Sequence, residues 1–272
     1  MSDIKLKAAV CGVSGRLGRT IANQLIARSD TVLTGGMVSS DSVHLGADLG
    51  EIAEKGYLGV TTSVALEDAV EGADVLLDVS APSVTAAIAE RLMKTGGLAL
   101  VTGTTGLDRD QQKAVETAAE TLPVLQASNF SLGVAVMERL VKEAARALAA
   151  EQFDLEIVET HHKRKADAPS GTAISLGKAA AEARGEDFET NAQFDRPRNG
   201  GSRPMGQIGF AALRGGGVVG EHEARFLSAF EEVTVSHRAF DRFIFARGAV
   251  EAALWLKDRK PGRLYTMQDV LG

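Results

Sequence analysis

Short, continuous apolar runs alternate with helical patterns through the first half of the chain. The runs Leu6 to Gly12, Thr31 to Val38, Ala73 to Ser80, Leu98 to Thr102 and Leu122 to Gln126 are rich in Val, Leu and Ala and end at turn formers, so they predict buried strands. Between them, apolar positions three and four apart predict helices over Arg19 to Arg28 and near residues 65–71, 83–95 and 108–120. Strand and helix in regular alternation imply parallel βαβ units, and hence an α/β fold built on an open, doubly wound sheet.

The rhythm changes after Asn129. A helix from about Gly133 to Glu151 is followed by a strand, Phe153 to Glu159, and a helix that ends near Ala183. Residues 185–206 are polar, carry Pro197, Gly200, Gly201 and Pro204, and read as a long loop. A loop of that length in a compact protein is expected to be functional or to reach another subunit. Strands near 207–214, 222–228 and 231–238, with turns at Gly215 to Gly217 and Phe230-Glu231, suit a mixed or antiparallel sheet. Ala246 to Lys257 predicts a last helix, broken by Pro261-Gly262. The simplest organisation joins residues 1–129 and 241–272 in one domain and inserts 130–240 as a second, α+β domain.

Composition narrows the partners. A chain of 272 residues is long enough for two modest domains, and its net charge of −6 argues against nucleic acid. The single cysteine, Cys11, allows neither a disulfide framework nor a cysteine metal cluster, so a reducing cytoplasm is expected. The chain has no apolar span of the roughly 20 residues a membrane helix needs, so neither export nor membrane insertion is expected. His44, His222 and His237 are dispersed, without metal-ligand spacing, and read as structural.

Two places carry chemistry. Gly12, Gly15 and Gly18 follow the first strand and open the first helix, where backbone N–H groups and the helix dipole receive a dinucleotide pyrophosphate. The second strand ends Val38-Ser39-Ser40-Asp41 instead of on the acid that commonly reads an NAD ribose, which leaves NAD against NADP open. Gly103-Thr104-Thr105-Gly106 and Ser128-Asn129-Phe130-Ser131 lie at further strand ends, where open α/β sheets bind ligands. The second place is Glu159 to Thr172, which gathers His161, His162, Lys163, Arg164 and Lys165 before a helix-start signal at Ser170-Gly171-Thr172. Titratable imidazoles beside fixed positive charge suit an acidic substrate that must be protonated.

With these motifs in order, the chain resembles the 4-hydroxy-tetrahydrodipicolinate reductase (dihydrodipicolinate reductase) family from the first strand to the closing Asp269-Val-Leu. The pattern E-x-H-H-x-x-K-x-D-A-P-S-G-T carries the resemblance. It implies a Rossmann-like dinucleotide-binding domain from both chain ends, an inserted substrate-binding and oligomerisation domain, and a homotetramer. It also implies reduction of a cyclic imine dicarboxylate by NADH or NADPH, without a metal, on the diaminopimelate route to lysine. By the same resemblance His161 and Lys165 are the acids, and His162, Ser170, Gly171 and Thr172 bind the substrate. The cofactor contacts implied are Gly12, Val13, Ser14, Gly15, Arg16, Leu17, Gly103, Thr104, Thr105, Ala127, Ser128, Asn129 and Phe130. Ser39 and Ser40 stand where well-known members carry Glu-Arg, so use of both cofactors does not transfer directly. The competing readings are another nicotinamide-dependent reductase of an amino-acid precursor and a nucleotide-sensing Rossmann protein without turnover.

Overall fold

The computed structural model describes residues 5–199 and 201–272, so Gly200 of the expected 185–206 loop lies outside the described residues. In chain order the elements are β1 (Leu6–Cys11), α1 (Arg16–Ala27), β2 (Thr31–Met37), α2 (Leu49–Ile52), β3 (Thr62–Ser63) and α3 (Leu66–Ala69). Next come β4 (Val75–Asp78), α4 (Pro82–Thr95), β5 (Ala99–Thr102), α5 (Arg109–Thr121), β6 (Val124–Gln126) and α6 (Leu132–Ala147). The middle of the chain forms β7 (Asp154–His161), α7 (Gly171–Arg184), α8 (Phe188–Asn191), β8 (Ala192–Gln193) and α9 (Arg196–Asn199). The order ends with β9 (Ile208–Arg214), β10 (Gly220–Leu227), β11 (Glu232–Ala239), α10 (Phe243–Leu256), β12 (Leu264–Tyr265) and α11 (Met267–Val270). Contacts divide the chain into two compact units, Met1–Ser131 with Phe243–Gly272, and Leu132–Arg242.

The first unit is a parallel sheet in the order β12-β6-β5-β4-β1-β2-β3. Every residue of β4 and β5 is buried, as befits central strands covered on both faces. One side of the core joins Leu76 and Leu100 to Ile88 and Leu92 of α4 and Val115 and Ala118 of α5. Each fully buried Leu or Ile contributes about 1.5–3 kcal/mol. Helix α1 begins at Arg16, three residues before the apolar pattern does, because Gly15 is its N-cap and the first turn carries little apolar surface.

In the second unit the sheet order is β11-β10-β7-β9-β8, with β10 antiparallel to both β7 and β11 and the other pairs parallel. The alternation along β7 buries Leu155, Ile157, Glu159 and His161 on one face. That face packs on α6 through Met137 and Val141 and on α7 through Ala173 and Leu176.

Two expectations are corrected. Strand β7 does not stop at Glu159: it is paired on both sides through Thr160, with Leu213 of β9 and Glu221 of β10, and reaches His161 opposite Arg214. Residues 185–206 are not one loop, since they include α8, β8 and α9. The polar composition hides this order, which comes from ion pairs and rings instead of an apolar period. Arg196 and Arg203 bind Glu156 at 2.5 and 3.2 Å, and the Phe194 ring lies 4.9 Å from Phe210 and 6.4 Å from Phe188.

Candidate active site

The glycine loop joins β1 to α1. Gly12 has φ +77°, and a Cβ there would fall 2.8 Å from the Val79 carbonyl oxygen, while one on Gly18 would fall 2.2 Å from the Gly12 oxygen. The turn therefore requires glycine for both backbone conformation and close approach. No side chain caps α1 and its first turn holds no acid, so its positive end is open to an anion. Val13 is buried, Ser14 and Leu17 half-buried, and Gly15 and Arg16 exposed. That cradle fits a dinucleotide pyrophosphate.

Ser39 and Ser40 lie exposed beyond β2, where Asp41 is held below the usual carboxylate range by a hydrogen bond from Ser39. Gly103, Thr104 and Thr105 follow β5, and Ala127, Ser128, Asn129 and Phe130 follow β6. The buried Phe130 ring packs on Gly103, bringing these two loops together.

Sequence reasoning missed the group beneath them. Asp78, fully buried at the end of β4, accepts from Ser80 Oγ at 2.5 Å, Thr85 Oγ1 at 2.5 Å, Thr102 Oγ1 at 3.0 Å and Thr104 Oγ1 at 3.3 Å. Burial, reinforced by the nearby Asp78 charge, pushes the Cys11 thiol up to about 12, so this cysteine is inert. Four hydroxyl-bearing residues around one carboxylate have no periodic signature, although an Asp ending an apolar strand is itself a signal.

In the second unit, the two-residue period of β7 places Glu159 and His161 side by side on the buried face. Glu159 Oε2 meets His161 Nδ1 at 2.6 Å and Arg214 Nη1 at 2.7 Å, while Oε1 accepts from Arg214 Nη2 at 2.8 Å and the Ser170 N–H at 3.0 Å. Burial alone would raise the Glu159 pKa, but hydrogen bonds from Arg214, His161 and Ser170 outweigh it and hold the carboxyl below its usual range.

Ser170 is the N-cap of α7: its hydroxyl accepts from the Ala173 N–H and lies 3.0 Å from His222 Nε2. The His161 and His222 rings meet edge to face at 5.1 Å. Arg214 was also missed, because it lies 55 residues from Glu159 in sequence.

His162, on the opposite side of the strand end from His161, lines a cavity of about 250 Å³ with Arg164, Val219, Phe240, Asp241 and Arg242. Burial and then the charges of Arg242 and Arg164 lower the His162 pKa. Two arginines and an imidazole offer this cavity to an anion, with Asp241 as the one acid in its wall. The Lys165 amine pairs with Asp167 at 2.7 Å. Gly171 is exposed and Thr172 half-buried in the first turn of α7, which holds no acid. The residues of the Glu159–Thr172 run thus divide between a buried hydrogen-bonded cluster and an open cationic rim.

Residues 6–130 match the family model described as dihydrodipicolinate reductase, N-terminus, and residues 133–271 match its C-terminus. The chain belongs to the dihydrodipicolinate reductase family. A 4-hydroxy-tetrahydrodipicolinate reductase of Caulobacter vibrioides is 44% identical over 98% of this chain and 97% of its own. That of Sinorhizobium fredii is 45% identical over 100% and 99%. In fold the chain is similar to a dipicolinate-bound dihydrodipicolinate reductase from Paenisporosarcina sp. TG-14, with a TM-score of 0.74, 22% identity, and coverage of 96% of this chain and 97% of that one. Among the described residues, no group of three or more His, Cys, Asp or Glu could hold a metal ion, and no helix is long and apolar enough to cross a membrane.

Proposed function

We propose that this dihydrodipicolinate reductase family member reduces 4-hydroxy-tetrahydrodipicolinate to tetrahydrodipicolinate with NADH or NADPH, in the diaminopimelate route to lysine. The observation that carries the reading is the buried Glu159–His161 pair at the end of β7, built into the family's most specific motif. When bound, the reduced nicotinamide supplies a hydride. The glycine loop from Gly12 to Leu17 receives the pyrophosphate at the α1 N-terminus, Gly103 to Thr105 and Ala127 to Phe130 complete the nucleotide site, and Ser39 and Ser40 meet the adenosine ribose.

Once the 4-hydroxyl has left as water, reduction at C4 of the resulting conjugated ring leaves electron density at C3 and the ring nitrogen, and His161, seconded by Lys165, returns a proton there. His162, Gly171 and Thr172 hold the dicarboxylate, and Ser170 fixes the start of α7 from within. Lys163 and Arg164 add to the positive field around the rim. The reading includes a cytoplasmic location, supported by one buried cysteine, and a homotetramer.

The test generates the substrate from pyruvate and aspartate semialdehyde and follows NADH and NADPH oxidation separately. Turnover with either supports the reading, and the ratio of the two defines what Ser39 and Ser40 select. His161→Gln should lower kcat about 100-fold or more while leaving nucleotide affinity nearly unchanged. Wild-type turnover in that variant would remove His161 from the mechanism, and no oxidation of either cofactor by the wild type would favour a nucleotide sensor.

A further inference from the structure

Glu159 lies at the centre of the hydrogen-bonded cluster in the second unit's site. Its side chain is fully buried, and each oxygen accepts two hydrogen bonds: Oε1 from Ser170 N and Arg214 Nη2, Oε2 from His161 Nδ1 and Arg214 Nη1. Ser170 N–H and both Arg214 nitrogens can only donate. The carboxylate is thus filled by three obligate donors and one imidazole nitrogen, which must itself bring a proton. At His161, a Cβ placed on Gly220 would lie 3.1 Å from Nε2, so the absence of a side chain there leaves room beside that nitrogen.

We propose that Glu159 is a positioning residue for the reduction: its carboxylate fixes the proton of His161 on Nδ1, so that Nε2 is the nitrogen that gives up the proton to the substrate. In the step the Nε2–H bond breaks, its electron pair stays on the imidazole, and a new bond to hydrogen forms on the ring at the density left by the hydride. Nδ1 keeps its proton before and after. The same carboxylate grips the Ser170 N–H, so the acid and the start of α7 are held by one group. This inference rests on the functional reading above and adds a residue and a tautomer to it.

The charged and titratable groups around His161 come from every neighbouring element. Glu159 lies on its own strand, Arg214 reaches in from β9 through Glu159, and His222 faces it from β10. His162 and Lys165 follow in the loop, and the influence of His161 and Lys165 is felt at both His162 and His222. Among the described residues, Glu159 is the one anion paired with the imidazole. Removing its charge disfavours imidazolium.

Glu159→Gln separates this role from simple packing. An amide nitrogen in the place of Oε1 would confront Ser170 N–H and Arg214, and in the place of Oε2 it would confront Arg214 and require His161 to accept at Nδ1. Accepting there moves the proton to Nε2 and reverses the tautomer.

The first measurement needs no variant at the carboxylate. Imidazole 15N shifts of the labelled wild-type protein, with the His161 signal assigned by its loss in His161→Gln, should show a protonated Nδ1 and an unprotonated Nε2 in the neutral ring; the opposite tautomer would overturn the inference. The second measurement is kcat/KM against pH for Glu159→Gln, expected to fall about 10- to 100-fold, less than the roughly 100- to 10,000-fold contribution of a general acid because His161 itself remains, with its basic limb moved to lower pH. An unchanged profile at wild-type turnover beside an impaired His161→Gln would overturn the inference alone. Wild-type turnover in His161→Gln would overturn the underlying reading and this inference with it.

Discussion

His222 points from β10 into the same face as Ala224 and Phe226 and is 4% exposed. Burial first, and the neighbouring His161 second, push its pKa down to about 4. In the unfolded chain an imidazole titrates near 6.5. The folded state therefore keeps its full stability above about pH 6.5 and loses up to about 3 kcal/mol as pH falls toward 4, because the unfolded chain takes up a proton that the folded one refuses. Chemical denaturation across that window should show a steeper loss in the wild type than in His222→Gln, and equal slopes would assign the effect to other groups. At this scale the sequence was partly legible. The histidines of the motif announced themselves by density, whereas the spacing of His222 along the chain carried no sign that it meets Ser170 and His161. The partnership of Glu159 with Arg214 was hidden because it joins neighbouring strands far apart along the chain, which only the sheet register reveals.

At the scale of elements, the carboxyl ends of β1, β4 and β5 converge on Asp78. One buried carboxylate ties the turn into α4 through Ser80 and Thr85, the end of β5 through Thr102 and the loop after it through Thr104. Losing it leaves several buried hydroxyls without their acceptor, each such group costing about 1–3 kcal/mol where it finds no other partner. Asp78→Ala should lower stability by about 2–4 kcal/mol in denaturant titration and raise the nucleotide dissociation constant more than it lowers kcat. Unaltered nucleotide affinity would separate Asp78 from the cofactor loops. The βαβ elements of this unit were legible because buried parallel strands are written as apolar runs, whereas α2 and β3 are too short to show a period. The 185–206 segment failed for a related reason: α8, β8 and α9 are fixed by Arg–Glu pairs and three phenylalanines spread from 188 to 210, and no local pattern encodes them.

For the whole molecule, the decisive surface is the outer face of the second unit's sheet. Register places Val158 beside Ala211 and Thr160 beside Leu213 on the face opposite Ile157 and Glu159, away from the core shared with α6 and α7. Leu213 is 52% exposed. Strands β10 and β11 flank this strip with Arg225–Glu232 at 2.7 Å and Arg238–Glu221 at 2.9 Å. Exposed pairs of this kind are screened by water, so they do little for the sheet itself and leave the apolar strip as the part that gains from being covered. A homotetramer joined through these sheets would bury it. Light scattering should then give the mass of four chains for the wild type. Leu213→Arg would place an unpaired charge in the covered strip and shift the mass to smaller species, with little change in the intrinsic stability of a side chain already half in water. A tetramer that survives Leu213→Arg would put the interface on another surface, and a monomeric wild type would remove the tetramer from the functional reading.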